Sequence, residues 1–149
     1  MAKRIGGFTN YQHVAVATSL LDEEHILIGK GVELASTLSA KLSLIYVDEN
    51  HSYYYSELGR PVQNFSESRF EEKIRREMMP IIKAASYPIS DIIIRRGELT
   101  FELKAAAKEK GIDLFVFGHH QDIWSNLFSS ARNAINVLGT DVLVIPLKS

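Results

Sequence analysis

Five short apolar segments, separated by longer amphipathic ones, constrain this chain more than any other feature of its sequence. Each apolar segment is four to seven residues long and rich in Val, Ile, Leu or Phe. Runs of this length and composition are typical of strands buried on both faces of a sheet. The segments are 13–18, 42–47, 89–95, 114–117 and 142–146.

The intervening segments carry apolar residues at helical spacing. They predict helices over about 22–38, 66–86, 99–110 and 127–138, with a long surface loop over 49–64. Pro80 is expected to kink the second helix or to end its regular part. Strands that alternate with helices imply right-handed crossovers and a parallel sheet with helices on both faces. We therefore expect one α/β domain over 12–149, preceded by a loose arm over 1–11.

Composition excludes several classes of function. The chain has 17 basic and 18 acidic residues and a net charge of −1, which disfavours general binding of nucleic acid. It contains no cysteine, so disulfides, thiol catalysis and Cys-ligated metals are excluded. No apolar run reaches the roughly 18–20 residues of a membrane span, and no signal-peptide core is visible.

In a parallel α/β sheet, ligands bind beyond the carboxyl ends of the strands. The segments that lie at these ends in the predicted fold are 18–22, 48–64, 95–98 and 118–126. The densest polar cluster among them is Gly118-His119-His120-Gln121-Asp122. Adjacent residues that leave a strand point to opposite faces, and the spacing matches no metal-binding motif. We interpret the cluster as a hydrogen-bonding loop and predict no metal site.

Ser129 and Ser130 precede or open the last predicted helix, where backbone N–H groups favour an anion. Simple capping of the helix by Ser130 is the favoured interpretation, and a phosphate site is the alternative. The chain has no P-loop, no G-x-G-x-x-G and no G-x-S-x-G. We therefore predict no catalytic residue.

The last third of the chain closely resembles universal stress proteins of the A type. The resemblance covers about 12–147, and the closing motif is its specific part. That motif comprises Gly118–Asp122, Trp124-Ser125, Ser129–Arg132, Asp141 and Val144–Leu147. Weaker matches lie at Leu42–Asp48, Tyr87–Ile89 and Arg96–Leu99.

The resemblance implies a five-stranded parallel sheet of order 3-2-1-4-5, as in Rossmann-like proteins of the adenine-nucleotide α-hydrolase type. It also implies a cytoplasmic bacterial protein that accumulates under stress or growth arrest and is usually dimeric. No well-defined catalysis is attached to this type.

Members of the family that bind ATP carry the motif G-x2-G-x9-G-S/T. Here Gly118 fits the first glycine, but Gln121 stands at the second. With a loop two residues shorter, Ser129 replaces the third glycine and Ser130 matches its partner. Side chains at these positions occupy the space in which glycines let the backbone approach phosphates.

Many members also have an aspartate at the end of the first strand, where this chain has Thr18-Ser19. The resemblance therefore implies no tight ATP binding, and we expect no cofactor. If an anion or nucleotide does bind, the candidate residues are Gly118, His119, Gln121, Ser129 and Ser130.

The fifth strand is expected at an edge of the sheet. Its residues Val142, Leu143, Val144 and Ile145 are apolar, and no inward-pointing charge blocks pairing. We predict a two-fold homodimer through this edge. The alternative is a monomer whose edge is covered by residues 1–10.

Three functions remain open on the sequence. The favoured one is a non-enzymatic stress-response protein that acts through dimerisation and protein partners of unknown identity. The second is a nucleotide-binding sensor or slow ATPase that uses a remodelled 118–130 loop. The third is an enzyme of the related α-hydrolase architecture, which the missing phosphate glycines disfavour.

Overall fold

A computed structural model describes residues 10–18, 24–48, 67–118 and 138–146. Its five strands are parallel to their neighbours and lie in the order β3-β2-β1-β4-β5. They are β1 (His13–Ala17), β2 (Lys41–Asp48), β3 (Ile89–Arg96), β4 (Leu114–Gly118) and β5 (Asp141–Ile145). The described helices are α1 (Glu24–Leu38), α2 (Glu67–Ala84) and α3 (Leu99–Lys110). The predicted fold class is confirmed.

Alternation along the strands divides the core into two layers. One cluster joins α1 and α2 to the sheet through Val14, Val16, Leu42, Leu44 and Val116. The other joins α3 to the opposite face through Ala15, Ala17, Ile45, Phe115 and Phe117. Because both faces of the sheet are covered, the strand sequences are continuous apolar runs. The first and last residues of each predicted strand agree with the observed strand to within one residue.

Helix α2 contains Pro80 and continues for four residues beyond it to Ala84. Pro80 therefore does not end the helix. The hydrogen bond that proline cannot donate would go to the carbonyl of Arg76. Pro80 and Arg76 are both exposed, so water can reach this turn of the helix. The loop predicted over 49–64 and the helix predicted over 127–138 lie outside the described residues, apart from Leu138.

The amino end of the sheet is held by side-chain hydrogen bonds. The Tyr11 hydroxyl donates to Asp141 Oδ2 at 2.6 Å, and the Asp113 carboxylate accepts the backbone N–H groups of Gln12 and His13. Residues 11 and 12 are thereby tied to the starts of β4 and β5. None of the described helices has the combination of length and apolar character needed to cross a bilayer.

His13 is a buried polar residue at this end of the sheet. Its Nδ1 lies 3.0 Å from the Lys110 carbonyl oxygen, and its Nε2 lies 2.6 Å from Ser43 Oγ. A carbonyl oxygen only accepts, so Nδ1 carries the proton in the neutral ring and Nε2 accepts from the Ser43 hydroxyl. Both ring nitrogens are satisfied by residues of neighbouring segments, which gives His13 a structural role.

Substitution of Ser43 by alanine is expected to lower the free energy of unfolding by about 1–3 kcal/mol, because it leaves His13 Nε2 buried without its hydrogen bond. Ser43 is itself fully buried. Ser90→Ala, at an exposed position of β3, is the matched control and should change stability by less than about 0.5 kcal/mol. Urea denaturation at equal protein concentration measures both. Equal stability of the two variants would contradict the structural role of His13.

Candidate functional site at the carboxyl edge of the sheet

The carboxyl edge of the sheet is where a ligand is expected. The strand order reverses between β1 and β4, which are neighbours in the sheet although α1, β2, α2, β3 and α3 lie between them in the chain. At such a switch point the two connecting segments leave in opposite directions and open a crevice. The residues at the ends of β1 and β4 therefore decide what the crevice can hold.

The predicted phosphate loop begins at this switch point. Gly118 is the last residue of β4, is buried, and pairs in register with Ile145 of β5. His119, Gln121, Ser129 and Ser130 lie outside the described residues. Of the five candidate binding residues, the structure thus places Gly118 alone, and the binding role of all five stays a prediction.

The described residue that follows β1 carries no carboxylate. Thr18 follows β1, is fully buried, and its backbone N–H donates to the Ile45 carbonyl at 2.9 Å. This hydrogen bond continues the pairing between β1 and β2 beyond the last strand residue. A threonine side chain lacks the charge with which an aspartate accepts two ribose hydroxyl or base N–H groups.

A charge pair that the sequence did not reveal, formed by a buried aspartate and a half-buried arginine, lies at the ends of β2 and β3. Asp48 is 5% exposed and is in register with Arg96. Burial lowers the pKa of Arg96 from its ordinary value, and the negative charge of Asp48 opposes that shift. The guanidinium carbon lies 5.0 Å from the centre of the Phe70 ring of α2, within cation–π range. This arrangement fixes α2 against the carboxyl edge of the sheet.

Beside this pair lies an open cavity of about 280 Å³. It is lined by Phe70, Glu71, Ile94, Arg95, Arg96 and Glu102. Among the described residues the lining has no Ser, Thr, Cys, Lys or His, and its only groups that could act as a base are the carboxylates of Glu71 and Glu102. Of its two arginines, Arg95 pairs with Glu109 at 3.0 Å and Arg96 lies near the negative charge of Asp48, but the buried Nε of Arg95 donates no hydrogen bond to the described residues. The carboxylates of Glu71 and Glu102 in the lining oppose the binding of a phosphate.

Gly97 follows Arg96 and connects β3 to α3. Its φ is +147°, a backbone angle that residues with a side chain rarely adopt. A Cβ at this position would lie 2.7 Å from Glu102 Oε2. The N-terminus of α3 is closed by Glu98, whose carboxylate accepts from the backbone N–H groups of Thr100 and Phe101. This helix end already holds its own anion.

Metal binding finds no support in the described ranges. Within 10–18, 24–48, 67–118 and 138–146, no three His, Asp or Glu side chains lie close enough together to hold an ion. The paired histidines His119 and His120, the only adjacent ones in the sequence, lie outside these ranges.

Comparison with known proteins identifies the family. The model of the universal stress protein family matches residues 10–146. The chain belongs to this family. The universal stress protein A homolog of Haemophilus influenzae is 37% identical over 138 residues, which cover 93% of this chain and 98% of that protein. Universal stress protein A of Escherichia coli strain K12 is 38% identical over 93% of this chain and 96% of its own length.

A solved universal stress protein in complex with cAMP has the same fold. It superposes with a TM-score of 0.56 at 24% identity, covering 91% of this chain and 97% of its own. At this identity the likeness concerns the fold alone. The resemblance that the sequence suggested is thus confirmed at the level of the family, and the sheet order matches what it implied.

Proposed function

We propose that this universal stress protein is a non-enzymatic, cytoplasmic member of the A type that acts in bacterial stress resistance or growth arrest. In this proposal it works through dimerisation and protein partners and does not bind ATP tightly. The chemistry of the switch point carries the proposal. β1 ends in the buried Thr18 instead of a carboxylate, and Gln121 and Ser129 replace two glycines of the ATP motif.

Two features at the carboxyl end of β3 support the absence of tight ATP binding. Arg96 has the negative charge of Asp48 nearby and the Phe70 ring 5.0 Å from its guanidinium carbon, and both compete with a phosphate for this cation. The N-terminus of α3 is occupied by the carboxylate of Glu98. A triphosphate would therefore depend on the loop after Gly118 for its contacts, and that loop lacks the glycines.

Calorimetric titration with ATP, ADP and AMP in the presence of Mg²⁺ tests this part of the proposal. The protein is first stripped of any ligand that it carried through purification. We expect no heat of binding at millimolar nucleotide. The relative that was crystallised with cAMP, titrated with cAMP, serves as the positive control. A Kd near 1 μM, equivalent to about −8 kcal/mol, would contradict the proposal.

The second candidate function is a nucleotide sensor or slow ATPase. The complex of a solved relative with cAMP favours it, because it shows that this fold can hold a nucleotide in at least one universal stress protein. If micromolar binding is found, Gln121, Ser129 and Ser130 are the first residues to replace. Hydrolysis of the bound nucleotide would then separate an ATPase from a sensor.

The dimer proposal depends on a comparison of the two sheet edges. Two residues of the edge strand β3 form ion pairs with the end of α3: Arg95 with Glu109 at 3.0 Å, and Asp91 with Lys110 at 3.7 Å. Charged side chains of this kind hinder the addition of another strand. In β5, the four residues Val142–Ile145 are apolar and half-buried. We therefore propose that the dimer forms through β5.

A further inference from the structure

Helix α3 presents an exposed stripe of three residues, Phe101, Lys104 and Lys108, here called the Phe101 stripe. Phe101 is 65% exposed, more than the other exposed large hydrophobic residues Ile26 and Met79, at 42% and 43%. Spacing of three and seven residues places the stripe along one side of the helix. The buried residues of α3, which face the sheet, are Leu99, Leu103, Ala106 and Ala107.

The other charged residues of α3 and its cap have internal roles. Glu98 caps the helix, Glu109 pairs with Arg95, and Lys110 pairs with Asp91. Glu102 lies against Gly97. By contrast, the side chains of Lys104 and Lys108 make no ion pair or hydrogen bond with any residue in the described ranges.

Within the described ranges, the stripe brings no evident gain in stability. Lys104 and Lys108 are four residues apart, and like charges at this spacing destabilise a helix. Lys108 lies in the last turn, where the helix dipole offsets part of that repulsion, but Lys104 lies in the middle. A phenylalanine that is mostly exposed contributes little to the core. In natural proteins, departures from local stability rules are concentrated at functional or strained sites.

We propose that the Phe101 stripe docks an acidic segment of a protein partner. An apolar side chain of the partner would pack on Phe101, and two carboxylates would pair with Lys104 and Lys108. The stripe spans seven residues of helix, about 10 Å. This length matches positions i, i+3 and i+7 of a helix, or about three residues of an extended segment.

The charge of the stripe favours a protein segment over larger polyanions. Nucleic-acid binding that neutralises several phosphates needs several cations on one surface, and this stripe has two. Glu102 and Glu109 flank the lysines, and the chain carries a net charge of −1. One phenylalanine and two lysines are likewise a small anchor for an anionic membrane, where stable attachment takes larger clusters. A short acidic segment needs no more than the stripe provides.

This inference rests on the partner-binding role proposed above, but its surface lies on α3 and does not involve β5. The two proposals therefore fail separately. Nucleotide titration and the oligomeric state test the proposed function, and binding of an acidic peptide tests the stripe. A monomeric variant is expected to bind the peptide as well as the dimer does.

The probe is a blocked 12-residue helical peptide with one leucine and glutamates three and seven residues after it. It is titrated at low salt into the ¹⁵N-labelled full chain, and amide shifts are followed by NMR. We expect shifts concentrated in residues 99–110. Lys104→Glu combined with Lys108→Glu should weaken binding by roughly tenfold or more. Phe101→Ala should also weaken binding of the peptide, although this variant has the same net charge as the parent chain.

The matched control reverses the charge of two exposed lysines outside the stripe, Lys41→Glu with Lys83→Glu. It should bind the peptide as tightly as the parent chain does. A peptide with lysines in place of the glutamates should not bind. The proposal is overturned if the acidic peptide gives no shifts, or if the control variant loses binding equally. Tighter binding to phosphatidylserine-containing vesicles or to single-stranded DNA through the same residues would also overturn it.

Discussion

Replacement of Gly31 by valine is expected to lower the free energy of unfolding by about 3 kcal/mol, within the range for overpacked cores. Gly31 lies on the buried side of α1, and a Cβ there would overlap Val16 Cγ2 and lie 3.5 Å from Leu42 Cδ1. Both neighbours are fully buried strand residues, and the β-branched Val16 has few other rotamers to adopt. The larger side chain would push α1 away from the centre of the sheet.

Gly29→Val is the matched control, because it makes the same change two residues earlier on the same helix. Gly29 is exposed, and a Cβ there would meet no atom within 4 Å. The free energy of unfolding of this variant should equal that of the parent or exceed it by a few tenths of a kcal/mol, since glycine is a poorer helix former than valine. Urea denaturation followed by circular dichroism, at one protein concentration, compares the two. An equal loss of stability in both variants, or no loss in either, would contradict the close contact between α1 and β1.

The two glycines also show what the sequence could and could not predict. Gly29 and Gly31 both lower the helix propensity of α1, and this effect on propensity does not show which of them packs closely against the sheet. The structure assigns that role to Gly31 alone, because it faces Val16 while Gly29 faces outward. Helical spacing predicts which residues share a face, but not how closely that face approaches the sheet.

The strands were predictable because burial on both faces leaves a local signal. The charge pair at the carboxyl edge was not, because it depends on strand register. Between β2 and β3 the register shifts by one residue after Leu42, so that Ser43 pairs with Asp91. Without this shift, Asp48 would be opposite Arg95 instead of Arg96. Since adjacent residues point to opposite faces, one irregularity determines which arginine meets Asp48.

Substitution of Val144 by lysine is expected to raise the dissociation constant of the proposed dimer by roughly 100-fold. Val144 is half-buried near the middle of β5, the apolar edge of the sheet. In a two-fold antiparallel pairing of β5 strands, each dimer would carry this change twice. Two lysines brought near one another would repel, and each would lose hydration as the strands pair.

Ser90→Lys places the same charge on β3, the opposite edge, at an exposed position. If β5 forms the interface, this control should remain dimeric under conditions that dissociate the Val144→Lys variant. Sedimentation equilibrium over a range of concentrations gives both constants. Dissociation of the Ser90→Lys variant instead would place the interface at β3. A parent chain that sediments as a monomer would favour the alternative in which residues 1–10 cover β5, because an uncovered apolar edge of this kind recruits a partner strand.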